Sequence, residues 1–138
     1  GETQAPKFLR EAFKKGNQLQ DILTGNFATG KSGNAILKES LEEAKQAGLQ
    51  PSIYTHPLGL YGHSAGPTIG MWDAQEGVPG SGDYPLYENT TYAIELNTTV
   101  TLPQWDKDIR IMLEEDGFWG ANGFKYINQR QEALLLLK

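Results

Sequence analysis

Both histidines of the chain, His56 and His63, lie in one stretch, Ser52-Ile-Tyr-Thr-His-Pro-Leu-Gly-Leu-Tyr-Gly-His-Ser-Ala-Gly-Pro67. Imidazole is the side chain most used near neutral pH for metal ligation and proton transfer. Ile53, Tyr54, Thr55 and Leu58 lead into Gly59, Gly62, Gly66 and Pro67, which is the pattern of a strand breaking into a glycine-rich turn. Such a turn lets the backbone approach a ligand closely, so the two imidazoles mark a candidate site. Two histidines without partners specify no chemistry, and the simplest alternative is that each caps a turn.

Partners come from two glutamates. In Asp108-Ile-Arg-Ile-Met-Leu-Glu-Glu-Asp116, strand alternation puts Ile109, Ile111, Leu113 and Glu115 on one face and turns Glu114 away with Arg110 and Met112. In Thr91-Tyr-Ala-Ile-Glu-Leu96, Glu95 shares its face with Thr91 and Ala93, opposite Tyr92, Ile94 and Leu96. A carboxylate in a core-facing layer is costly unless a cation or metal pairs with it. Singly, each could be harmless, Glu95 on a solvated face and Glu115 at a strand end. Together with a histidine they form an N/O ligand set that suits Zn, Mn, Co or Fe. Two such metals bridged by carboxylates could activate a water against a carbonyl.

The elements that must position these residues are legible in the period of the apolar residues. Phe8, Leu9, Ala12, Phe13, Leu19, Ile22 and Leu23 predict a helix over 5–24, with Pro6 in its first turn and Gly25 as its stop. A second helix is predicted over 33–47, capped by Ser32, striped by Ile36, Leu37, Leu41 and Ala44, and ended by Gly48. After Pro51 the period becomes two. The predicted strands are 52–56, 68–72, 91–100, 108–116 and 124–127, with a long Gly- and Pro-rich loop over 73–90. The tail 129–138 reads as a short helix or a last strand. Helices first and strands after predict an α+β fold, the helix pair covering one face of an antiparallel sheet.

Composition bounds the function. The 138 residues fit one domain with a real core, and 38% hydrophobic with 21% charged residues is a globular balance. A net charge of −5 offers no basic surface to nucleic acid. No apolar run reaches the length of a membrane span, and no secretory leader is recognisable at Gly1-Glu-Thr-Gln-Ala-Pro6. The absence of cysteine excludes disulfides, thiolate metal sites and cysteine nucleophiles, and leaves the compartment open between cytoplasm and periplasm.

Gly25-Asn-Phe-Ala-Thr-Gly-Lys-Ser32 matches the phosphate-binding pattern G-x-x-x-x-G-K-[ST] letter for letter. That mechanism needs a strand entering the loop and a helix leaving it. Here the segment before the loop reads as a helix, so nucleotide binding stands as a remote alternative and a helix–helix connection is the expected role.

The ordered combination His56-Pro-Leu-Gly-Leu-Tyr-Gly-His63, Ile94-Glu95 and Arg110-Ile…Glu115-Asp116 resembles the signature motifs of the pita-bread metallopeptidases. This family includes methionine aminopeptidase, Xaa-Pro aminopeptidase, prolidase and the non-metal creatinase. The resemblance covers most of the chain and implies a curved antiparallel sheet under the helix pair. It implies His56, Glu95 and Glu115 as ligands of two divalent metal ions. His63 would be the catalytic second histidine, which binds substrate and stabilises or protonates the tetrahedral intermediate. No further cofactor is implied, and the substrate would be a peptide cleaved at its N-terminus or an X-Pro dipeptide.

The chain departs from the family pattern at Thr55 and Pro57 beside the first histidine, at Ser64, at Leu96-Asn97, and in the extra Met112-Leu113. The last departure leaves the choice between Glu115 and Glu114 to the facing argument above. The family's two aspartate ligands precede the helix pair, and none of the six residues before the predicted first helix is Asp. The expectation is therefore a single-domain unit, 1–138, from the C-terminal part of a larger catalytic domain. It would be inactive alone and prone to self-association through the face its other half would cover. A non-catalytic binding module of the same fold is the alternative, favoured by Ser64 and Leu96-Asn97.

Overall fold

The computed structural model describes residues 3–137. Helix α1 spans Lys7–Gly25 and buries Ala12, Phe13, Leu19 and Leu23, the stripe its spacing predicts. Asn26 closes it, its side-chain amide donating to the Ile22 carbonyl at 3.0 Å. Helix α2 spans Gly33–Gln46 and begins on Ser32, whose hydroxyl accepts from Ala35 N at 3.1 Å. This serves one of the orphan amides of the first turn. Gly48, at φ 77°, ends the helix in the left-handed region, as the sequence predicts.

The sheet is antiparallel throughout. Its strands are β1 (Pro51–Ile53), β2 (His56–Pro57), β3 (Thr90–Leu102), β4 (Lys107–Gly120) and β5 (Gly123–Tyr126). The order is β1-β3-β4-β5, and β2 continues β1 along the same edge of β3. Tyr92, Ile94 and Leu96 of β3 point to the helices and are buried with Phe13, Leu19, Leu23, Ile36, Leu37 and Leu41. Burial of side chains of this size contributes about 1.5–3 kcal/mol each before chain entropy is set against it. Gly16 lets α1 sit close on β4, since a Cβ there would lie 2.7 Å from Ile111. The fold is α+β, two helices on an antiparallel sheet, as the order of periodicities predicts.

Three predicted elements differ, the first being the strand over 52–56, which is divided into β1 and β2 at Tyr54 and Thr55. The segment 68–72 forms no ladder strand, only isolated bridges from Ile69 to Thr55 and from Met71 to Ala74. Gly70 explains the break. Its φ is 74°, and a Cβ there would lie 2.3 Å from the Ile53 carbonyl oxygen, so the chain turns instead of continuing extended. The tail, over 131–137, is neither helix nor strand. Side chains hold it: Arg130 pairs with Asp21, Asn17 donates to the Gln131 carbonyl at 2.9 Å, and Glu115 accepts from Gln131 N at 2.9 Å. These bonds take the place of a ladder, and Leu134 packs against the core.

The Gly25–Ser32 segment connects two helices. Lys31 is turned back, donating to the Asn26 carbonyl and pairing with Glu39 at 2.7 Å. The strand–loop–helix setting of a phosphate cradle is not the one in which this motif sits. No helix is long and apolar enough to cross a membrane among the described residues.

Candidate metal centre

The alternation that sends Tyr92, Ile94 and Leu96 toward the helices sends Ala93 and Glu95 to the other face of β3. Register then decides which residues join them. His56 on β2 stands opposite Ala93, and Glu114 on β4 stands opposite Glu95. His56, Glu95 and Glu114 therefore come from three adjacent strands onto one face.

His56 is buried, and its Nδ1 lies 3.1 Å from the Pro57 carbonyl oxygen. A carbonyl only accepts, so Nδ1 donates in this contact and Nε2 is the ring nitrogen whose lone pair can take a ligand. That lone pair faces Glu95, with Nε2 3.8 Å from Oε2. The separation is too long for a hydrogen bond. Two ligands that each bind one cation at about 2.1 Å lie no more than about 4.2 Å apart. An imidazole nitrogen and a carboxylate oxygen face to face at this distance fit a shared cation between them. The backbone bond to Nδ1 is the outer contact that orients a metal-binding histidine.

His63 is exposed, on a loop turned by Gly62 at φ 90°. Its ring stacks on His56 with centroids 4.0 Å apart and planes 13° apart. The Tyr54 hydroxyl lies 3.4 Å from its Nε2. The Pro57 carbonyl, which holds His56, also accepts from Ser64 N at 3.0 Å, so one peptide group ties both histidines.

Burial raises the Glu95 pKa, and the facing Glu114 raises it further against the opposing pull of His56 and His63. A carboxylate whose pKa rises on folding contributes stability below its unfolded pKa and loses it as pH rises through the folded value. Glu95→Gln is therefore expected to raise the melting temperature at alkaline pH, with the difference shrinking as the pH falls through the range in which Glu95 takes up its proton. Thermal melts across that range measure it. Divalent cation affinity should show the complementary trend, falling as acid protonates Glu95.

The structure brings His56, His63 and Glu95 together and does not bring Glu115 to them. Glu115 stands opposite Ile94, on the helix side, where Gln131 N donates to its carboxylate. It does share the layer of Ile111 and Leu113, but that layer is the core, and its partner is a backbone amide of the tail. The residue on the site face is Glu114. The signal was in the sequence: Glu95 and Glu114 both lie off the aliphatic stripe of their strands, and antiparallel neighbours pair only within one face. Among the described residues no group of three or more His, Asp and Glu side chains stands ready to hold a metal ion. What stands there is the His56–Glu95 pair, with Glu114 beside it and exposed. Against these carboxylates lies a cavity of about 290 Å³, lined on its apolar side by Tyr54, Trp72 and Met112.

The same fold occurs in two solved peptidases. One is the X-Pro aminopeptidase of Thermotoga maritima MSB8, at TM-score 0.64 and 20% identity over 94% of this chain and 34% of that one. The other is a dipeptidase of Pyrococcus horikoshii OT3, at TM-score 0.64 and 20% identity over 99% of this chain and 35% of that one. No protein-family model matches the sequence, and no curated protein matches it. This chain thus spans about a third of the length of each peptidase. The likeness is one of fold, and it is the pita-bread type that the order of motifs implies.

Proposed function

We propose that this chain is the C-terminal part of a metal-dependent peptidase domain, acting on the N-terminal residue of peptides or on X-Pro dipeptides. The observation that carries the reading is His56 Nε2 standing 3.8 Å from Glu95 Oε2, with Glu114 opposite Glu95 on the next strand, on the open face of a peptidase-like fold. His56, Glu95 and Glu114 would hold divalent cations such as Mn, Co, Zn or Fe, with Glu114 in the role that the motif resemblance implies for Glu115. Bound there, the metal supplies Lewis-acid polarisation of a peptide carbonyl and a water activated at neutral pH.

The chain's own residues do the rest. Glu95, the carboxylate nearest that water, would take its proton and pass it on. His63, stacked on His56 but exposed, would donate to the oxygen that gains charge in the transition state. Three donors do not complete a two-metal site, so the remaining ligands would come from residues outside this chain. Its coverage of only about a third of each peptidase leaves room for them. Alone, the chain is expected to be inactive.

The test is hydrolysis of Ala-Pro and of an N-terminal dipeptide substrate by the longer protein with Mn(II) or Zn(II) supplied. The expected result is cleavage that a chelator abolishes and metal restores. A non-catalytic binding module would hydrolyse neither, with or without metal, and that result would refute the proposal.

A further inference from the structure

The sequence places a tryptophan where the fold spends much effort to hold it in the open. Trp72 and Asp73 form the tip of a turn closed by reciprocal backbone bonds, Met71 N to Ala74 O at 3.3 Å and Ala74 N to Met71 O at 3.0 Å. Gln75 fastens that turn to β1. Its side chain accepts from Ile53 N at 2.9 Å and donates to the Ile53 carbonyl at 2.8 Å and the Met71 carbonyl at 2.6 Å. On the other side Ile69 and Thr55 exchange both backbone bonds, at 2.7 and 3.0 Å. A turn tied on both flanks is rigid, yet the side chain it carries is 75% exposed. A large ring turned to solvent contributes little to the core and leaves its apolar surface open to a ligand, and the tied backbone fixes where that ring stands.

Trp72 does not stand alone. With Tyr54 and Met112 it lines the cavity that Glu95 and Glu114 also line. Met112 is itself 66% exposed, and its thioether suits the edge of an aromatic ring. At about 290 Å³ the cavity falls just under the ~300 Å³ at which pockets begin to take whole small ligands, the size for one large side chain. Arg110 is also in the lining, so the polar rim carries both signs and the bed between is apolar.

We propose that the Trp72 turn is a specificity subsite, in which Trp72, Tyr54 and Met112 receive an apolar, ring-bearing side chain of a peptide whose main chain lies over Glu95 and Glu114. The inference rests on the peptidase reading for the identity of the ligand as a peptide. Trp72 touches substrate in this role and takes no part in bond cleavage.

Binding of the dipeptide Ala-Phe to the 138-residue chain, followed through the indole N–H resonances, tests it with no need of turnover. The Trp72 signal is expected to move, whereas that of Trp119, whose indole is bonded to Thr29 at 3.0 Å, stays in place. Trp72→Ala should weaken Ala-Phe binding about tenfold or more, Trp72→Phe should keep most of it, and Ala-Gly should bind about tenfold more weakly than Ala-Phe. Equal binding by Trp72→Ala, equal affinity for Ala-Gly, or no Ala-Phe binding overturns the proposal. A parallel Zn(II) titration separates it from the larger reading. Metal binding with an unmoved Trp72 refutes the subsite alone, and a ring-selective Trp72 response without metal binding supports the subsite and refutes the metallopeptidase.

Discussion

Replacing Glu114 by alanine is expected to weaken Zn(II) or Mn(II) binding about a hundredfold or more, whereas Glu115→Ala leaves the affinity unchanged. Removing even an outer partner of a metal ligand costs ten- to hundredfold, so losing a ligand costs at least the upper figure. Glu114 faces Glu95 in register, and Glu115 faces the helices with its carboxylate bonded to Gln131 N. The Glu115 variant should show a different phenotype, about 1 kcal/mol of lost stability with the tail loosened. Metal titration by calorimetry, with a thermal melt of each variant, separates the two neighbours. Equal metal loss in both would mean that the β3–β4 register does not govern the site.

Ile94→Ala should cost about 3 kcal/mol, a drop of roughly 10 °C in melting temperature for a domain of this size. Ile94 is fully buried among the helix side chains. It lies immediately before Glu95 in the strand that aims the site. Truncation leaves a cavity at the centre of the helix–sheet interface, where rigid neighbours close it only in part. The same change at Met112, on the open face, should lower stability by less than about 0.5 kcal/mol. Chemical denaturation of the two variants measures the contrast between the faces.

The helices were legible because their stripes and stops are local, and Ser32 caps α2 through a bond three residues long. The long strands were legible for the same reason, in the alternation of Tyr92, Ile94 and Leu96. What escaped was settled by distant partners. The segment 68–72 has strand composition, but Gly70 lies against the Ile53 carbonyl and the side chain of Gln75 takes the bonds that a ladder would have made. The tail 129–138 reads as a regular element because four leucines stand in a row, yet its fastening is through Asn17, Asp21 and Glu115, far away in sequence.

The motif order singled out His56, His63 and Glu95; strand pairing brings His56 and Glu95 to one face, and His63 comes beside them on a loop, stacked on His56. Glu115 was chosen because it shares a layer with aliphatic residues. A carboxylate among Ile111 and Leu113 does need a partner, but a backbone amide meets that need as well as a metal does. Period-two alternation assigns residues to faces and does not say which face the helices will cover. The apolar stripe of the neighbouring strand does, and it places Glu114 beside Glu95.

The central claim is that His56 and Glu95 hold one cation between them. A crystal of the chain soaked in Mn(II) or Zn(II), with anomalous scattering collected at the metal edge, tests it directly. The account predicts a peak between His56 Nε2 and the Glu95 carboxylate, on the Glu114 side of the sheet. A peak at Glu115, or none on the open face at saturating metal, would contradict it.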